Sequence, residues 1–159
     1  MTMPDQLVIV PFTEAHAEDV AGWRYPGPWR LYDSRPEDGL LEASDGYLAV
    51  VGHPGGELVG FLCLGEEARV PGLAEEPGVL DVGVGMRPDL VGQGHGARFG
   101  EAVLGHLGAR HPGRLRAVVQ SWNERSLRLA RRLGFAETGR HTCEQDGSLV
   151  EYVVLSAVP

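Results

Sequence analysis

A chain of 159 residues, 43% hydrophobic and 23% charged, has the size and composition of one globular domain. That excludes a disordered chain and removes the need for a metal or disulfide staple. Two cysteines, Cys63 and Cys143, exclude a disulfide framework, and the 14 basic residues, all arginine, exclude a Walker A loop with its lysine.

Leu7 to Pro11 reads as a strand, and Thr13 as the N-cap of a helix running to about Trp23. The turn-rich stretch YPGPWRLYDSRP follows, then a short helix opened by Pro36-Glu37-Asp38. Tyr47–Val51 and Leu58–Leu64 are apolar runs around His53-Pro54-Gly55-Gly56, a hairpin signature. The stretch from Gly65 to Pro77 carries four glutamates and is expected to be an exposed loop. Val79 to Met86 is a strand, and a glycine loop then leads into a helix over about Gly94–Arg110. Leu115–Gln120 (strand), Glu124–Leu133 (helix) and the closing strands Phe135–Cys143 and Leu149–Leu155 complete the chain. Such a mixture predicts an α/β (α+β) class around one mixed sheet.

Charge is unevenly placed. From Arg87 to Arg140 ten arginines face four acids, a net of +6, while the remainder carries −14. One face suited to an anionic ligand and another suited to a cationic one are expected. The net charge of −8 and arginines on amphipathic helices speak against nucleic acid as a partner. No apolar run reaches a membrane span and MTMPDQLVIV lacks a signal layout, so a soluble, cytoplasmic single domain over 1–159 is expected, with no membrane and no metal.

The informative run is VLDVGVGMRPDLVGQGHGARFGEAVL. By the two-residue period Leu80, Val82, Val84 and Met86 share one face, expected to be core. Val79, Asp81, Gly83 and Gly85 share the other, where missing side chains leave room for a ligand beside the Asp81 carboxylate. A strand, then Gly92-Gln93-Gly94-His95-Gly96-Ala97, then a helix is the layout of an anion site, with a pyrophosphate as its natural occupant. A dinucleotide fingerprint fits poorly: the loop lies past mid-chain, and the next strand, RAVVQS, ends without an acid.

MRPDLVGQGHG resembles the acyl-CoA-binding motif of the GNAT N-acetyltransferase superfamily. Gly94 and Gly96 match its two small positions, and Val91 stands where an arginine or glutamine is usual. Asn123 followed by Gly134-Phe135, in SWNERSLRLARRLGF, matches a second motif of that family at the expected distance. The resemblance implies a mixed, mostly antiparallel central sheet flanked by helices, and acetyl-CoA as acyl donor. It places the donor's pyrophosphate on the amides of Gly92, Gln93, Gly94, His95, Gly96 and Ala97. It places the pantetheine arm along Val84, Gly85 and Met86, with Asn123 helping to hold that arm; Asn123 also reads as a helix N-cap. Arg128, Arg131 and Arg132 are candidates for the adenosine phosphates.

The implied reaction is direct attack of an amine on the thioester, with the acceptor a small-molecule amine, a peptide or a protein N-terminus. An amine of pKa near ~10 costs about 4 kcal/mol to deprotonate at pH 7, which a carboxylate can offset as general base. Counting ten residues back from Val91, as several family members do, reaches Asp81. Backbone N–H groups near Val84 would stabilise the oxyanion. The tyrosine that many members use as general acid is replaced by Ala130, and Tyr152 is the candidate substitute. Trp23, Tyr25, Trp29 and Tyr32, four of eleven aromatics within ten residues, are candidates for an acceptor-pocket wall. Cys63, Cys143 and His95 are expected to be core or loop residues. A monomer or homodimer fits equally. A non-catalytic acyl-CoA-binding sensor or partner domain is the alternative, motivated by Ala130 and Val91.

Overall fold

The computed structural model describes residues 1–34 and 46–158. The helix expected at Pro36-Glu37-Asp38 lies outside the described residues. The elements in chain order are β1 (Gln6–Pro11), α1 (Glu14–Ala21), β2 (Tyr47–His53), β3 (Leu58–Leu64), β4 (Val79–Met86), α2 (Gly96–Gly108), β5 (Arg114–Gln120), α3 (Glu124–Arg132), β6 (Ala136–Gln145) and β7 (Ser148–Ala157). Short 3-10 turns occupy Gly27–Tyr32, Gly65–Ala68 and Pro88–Leu90. The sheet has seven strands in the order β1-β2-β3-β4-β5-β7-β6. It is a mixed, mostly antiparallel α/β arrangement in which β4 and β5 pair in parallel. Among the described residues no helix is long and apolar enough to cross a membrane.

The chain forms two compact units. The first comprises Met1–Cys63 and Val84–Ala102. There Thr13 caps α1 by accepting from the His16 amide while the His16 ring accepts from the Thr13 amide, so both orphan donors are met. The first unit's core gathers Phe12, Ala17, Val20, Trp23, Ala49, Val51 and Leu58, with Tyr25, Tyr47 and Phe61 packed against them. The second comprises Leu64–Gly83 and Val103–Pro159. Its β5, β7 and β6 form an antiparallel run, and Leu115, Val153 and Leu155 are essentially fully buried. Alternation on β7 is overridden by burial on both faces, since Tyr152, Val153, Val154 and Leu155 are all buried in succession.

Candidate active site

In the first unit, β4 ends at Met86 and runs through the Pro88–Leu90 turn into the glycine loop. Leu90 is fully buried and anchors the turn. Gly92 and Gly94 adopt φ of +76° and +83°, the left-handed region where a side chain is strained. Gly92, Gln93 and Gly94 are exposed, and the loop delivers the chain to the first turn of α2, whose amides have no intrahelical acceptor. This segment therefore has the backbone geometry of an anion cradle at a helix N-terminus. Phe99, on the first turns of α2, is buried and its ring packs over Gly60 of β3, where a Cβ would stand 2.4 Å from it.

The two faces of β4 differ from the alternation expected of the strand. Val84 is 53% exposed rather than core. Gly85 is not a vacancy for a ligand: a Cβ there would stand 2.4 Å from the Phe61 ring, so the missing side chain makes room for an aromatic of the core. Phe61 in turn packs against Trp23 and Tyr47, at ring-centroid distances of 6.1 and 5.6 Å. The residue left presenting its side chain outward at the strand end is Val84.

The aromatic segment after α1 separates into different jobs. Trp23 is a buried member of the core cluster. Its indole N–H donates to Asp19 at 2.9 Å, and the Arg87 guanidinium lies over its ring at 5.2 Å. Arg87 also pairs with Asp19 at 2.6 Å and donates to the Leu58 carbonyl at 2.8 Å. Tyr25 donates its hydroxyl to the Met86 carbonyl at 2.7 Å. Trp29 is half-buried and Tyr32 exposed on the Gly27–Tyr32 turn. An open groove of about 390 Å³ is lined by Trp23, Arg24, Pro26, Arg87, Pro88 and Asp89, among others.

Burial first, and the Asp33 carboxylate second, push the Tyr25 phenol above its ordinary value. Folding thus favours the neutral phenol, so this contribution to stability is complete below the unfolded value of about 10 and is lost as pH rises beyond it. Alkaline denaturation should therefore begin above about pH 10, and Tyr25→Phe should have a shallower stability slope there, measured by urea midpoints at pH 9 to 11.

In the second unit, Asp81 is 3% exposed and Arg116 is 7% exposed. They occupy partnered positions on the parallel pair β4–β5. Arg116 donates Nε to one Asp81 oxygen at 2.6 Å and Nη2 to the other at 3.1 Å, and Arg69 donates to the latter at 3.2 Å. Arg116 also reaches the Ala74 carbonyl at 2.8 Å and Glu76 at 3.4 Å. The hydrogen bond it donates to Asp81 holds the Arg116 guanidinium above its ordinary value despite burial. Both Asp81 oxygens are thus occupied by guanidinium donors, and the carboxylate is closed off from solvent. The geometry makes Asp81 an ion-pair partner of Arg116 and Arg69 that ties the Arg69–Glu76 loop to β5, where the sequence had suggested a carboxylate open to a ligand.

Tyr152 is buried, its hydroxyl donating to Gln145 and accepting from Gln120 at 3.4 Å. Burial raises its phenol above the ordinary value, against the pull of Gln120 and Gln145, which makes it a weaker acid than a free tyrosine. Asn123 is buried and caps α3, its side-chain oxygen accepting from the Ser126 amide at 3.3 Å. Asn123→Ala should cost about 1 kcal/mol through the lost cap alone, read as a lower thermal midpoint. Cys63 and Cys143 are buried and not joined in a disulfide, and among the described residues no group of His, Cys, Asp or Glu is arranged to hold a metal.

Sequence reasoning missed Arg69, Arg116, Glu76 and the Asp19–Arg87 pair. Arg116, set between Leu115 and Ala117 in RLRAVVQ, and a lone aspartate inside VLDVGVGM were the available signal, since each needs a partner when buried.

The solved structures similar in fold include an acetyltransferase of the GNAT family from Bacillus anthracis, with a TM-score of 0.77 at 14% identity, covering 98% of this chain and 96% of that one. Another is a chimera of the spermidine N-acetyltransferase SpeG from Vibrio cholerae and hSSAT, with a TM-score of 0.74 at 14% identity, covering 97% of this chain and 96% of that one. No curated protein matches the chain by sequence. The family model described as acetyltransferase (GNAT) family matches residues 12–135, well over half of the chain. With that model covering the strand, glycine loop and helix described above, the chain belongs to the GNAT acetyltransferase family.

Proposed function

We propose that residues 1–159 act as one acetyl-CoA-dependent N-acetyltransferase domain, moving acetyl directly to a primary amine. The observation that carries this reading is the run from the β4 end through Gly92 and Gly94, both at positive φ, into the amides that open α2. Its residues suit the donor: the amides of Gly92 to Ala97 would hold the pyrophosphate, and the outward edge of β4 at Val84 and Met86 would pair with the amides of the arm. Acetyl-CoA supplies an acyl group activated as a thioester, with a thiolate as leaving group. The Val84 N–H would donate to the developing oxyanion. Fold similarity to a spermidine N-acetyltransferase supports an amine as acceptor, and the acidic balance outside Arg87–Arg140 favours a cationic one.

With Asp81 held by Arg116 and Arg69, the proton of the acceptor ammonium goes to solvent. The rate then follows the free-amine fraction. kcat/KM for the amine should climb tenfold per pH unit from pH 6 towards the acceptor's own pKa, about 9–10 for an alkylamine. A plateau with its bend near pH 7, absent from the acceptor's own titration, would reveal a protein base instead.

One arrangement favours a second reading, an acyl-CoA-binding domain without transfer. Asp81 is tied into ion pairs, Tyr152 sits between two glutamines, and Ala130 offers no hydroxyl. Calorimetric titration with acetyl-CoA, followed by thiol release over a panel of polyamines, amino acids and N-terminal peptides, separates the two. Binding with amine-dependent thiol release supports the transferase; binding with no release from any amine supports the sensor.

A further inference from the structure

The peptide joining Met86 to Arg87 is gripped from both sides. The Arg87 N–H donates to the Val59 carbonyl on β3 at 2.8 Å. In a planar trans peptide the carbonyl points the opposite way, so the Met86 oxygen projects from the edge of β4 that faces away from β3. The Tyr25 hydroxyl meets it there at 2.7 Å. β4 pairs with β5 over Val79, Leu80 and Asp81, and Met86 stands beyond that ladder.

Tyr25 is itself held. Its amide donates to Asp33 at 2.8 Å, and the Asp33 amide closes the Gly27–Tyr32 turn by donating to the Arg30 carbonyl at 3.0 Å. The next residue along, Arg87, is fastened by Asp19 and stacked on Trp23. One segment, Asp19 to Asp33, thus grips both residues through which β4 passes into the Pro88–Leu90 turn and the glycine loop.

We propose that Tyr25 is a positioning residue for the acyl donor: by holding the Met86 carbonyl on the outward edge of β4, it sets the strand end and the glycine loop in register for the pantetheine arm and pyrophosphate. The proposal rests on the functional reading above. It moves Tyr25 from the wall of an acceptor pocket to the donor side, and it makes the aromatic segment a clamp between the two. Phe in its place would fill the same volume and leave the Met86 oxygen to water.

Calorimetry with acetyl-CoA and steady-state kinetics on Tyr25→Phe test it. One lost hydrogen bond of ordinary worth predicts a Kd and KM for acetyl-CoA raised about fivefold, with the amine KM changed less than twofold. A Kd and KM for acetyl-CoA within twofold of the parent would overturn the proposal, as would a lowered thermal midpoint with donor affinity unmoved, the mark of a merely structural bond. If Tyr25→Phe fails to fold, Asp33→Ala, which frees the phenol at its backbone end, carries the same comparison: weaker donor binding supports the proposal and unchanged binding overturns it. Absence of acetyl-CoA binding by the parent protein would sink the functional reading itself, before any variant is compared.

Discussion

Replacing Arg116 by alanine is expected to destabilise the protein by about 3–5 kcal/mol, the usual cost of removing one partner of a buried ion pair. Asp81 would remain 3% exposed with only Arg69, itself part-exposed, to meet its charge. The Ala74 carbonyl and Glu76 would lose their link to β5, so the loop from Arg69 to Glu76 should open together with the strand pair. Asp81→Asn should be nearly as costly, because it leaves Arg116 and Arg69 as neighbouring cations with only the exposed Glu76, 3.4 Å from Arg116, as countercharge. Urea denaturation of each variant and of Asp81→Asn/Arg116→Met reads the effect: the double variant should cost less than the two singles together, since neither charge is then stranded.

Gly85→Ala carries the second large effect. Its methyl would lie 2.4 Å from Cζ and 2.5 Å from Cε1 of Phe61, far inside contact distance. Phe61 has little room to retreat, with Trp23 and Tyr47 against it. Overpacking of this kind costs about 1–3 kcal/mol, and here the displaced backbone is the edge proposed to receive the donor arm. A smaller residue at position 61 should relieve the clash, so Phe61→Leu should cost less in the Gly85→Ala background than in the parent. Additive costs in that double-mutant cycle would mean that the glycine face is not filled by the ring.

The elements were legible in the sequence because each carried local chemistry. Thr13 as a cap, the His53–Gly56 turn and the unbroken apolar run of β3 fixed their elements to within a few residues. The glycine loop was legible for the same reason, since positive φ at Gly92 and Gly94 is a local demand of the backbone. What the pattern could not supply was the partner of each face. Alternation on β4 put Val84 inward and Gly85 outward, whereas Phe61 fills the space at Gly85 and Val84 stands exposed. Asp81 looked like a carboxylate awaiting a substrate because its partner, Arg116, lies 35 residues away on another strand. Trp23 and Tyr25 are two residues apart, yet one is core and the other reaches a strand edge, a division set by tertiary contacts.

Acetyl transfer, as proposed, depends on the donor cradle and not on Asp81 as a base. The direct test is transfer of isotope-labelled acetyl from acetyl-CoA to an amine by the parent protein and by Asp81→Asn. Both should be assayed across pH 6–10 at a temperature where both remain folded. Label incorporated by both, at rates per folded molecule within about fivefold and with the same tenfold rise per pH unit, is the predicted result. A parent that binds acetyl-CoA and transfers nothing, or an Asp81→Asn variant that binds it normally yet loses transfer by about a hundredfold or more, would contradict the account.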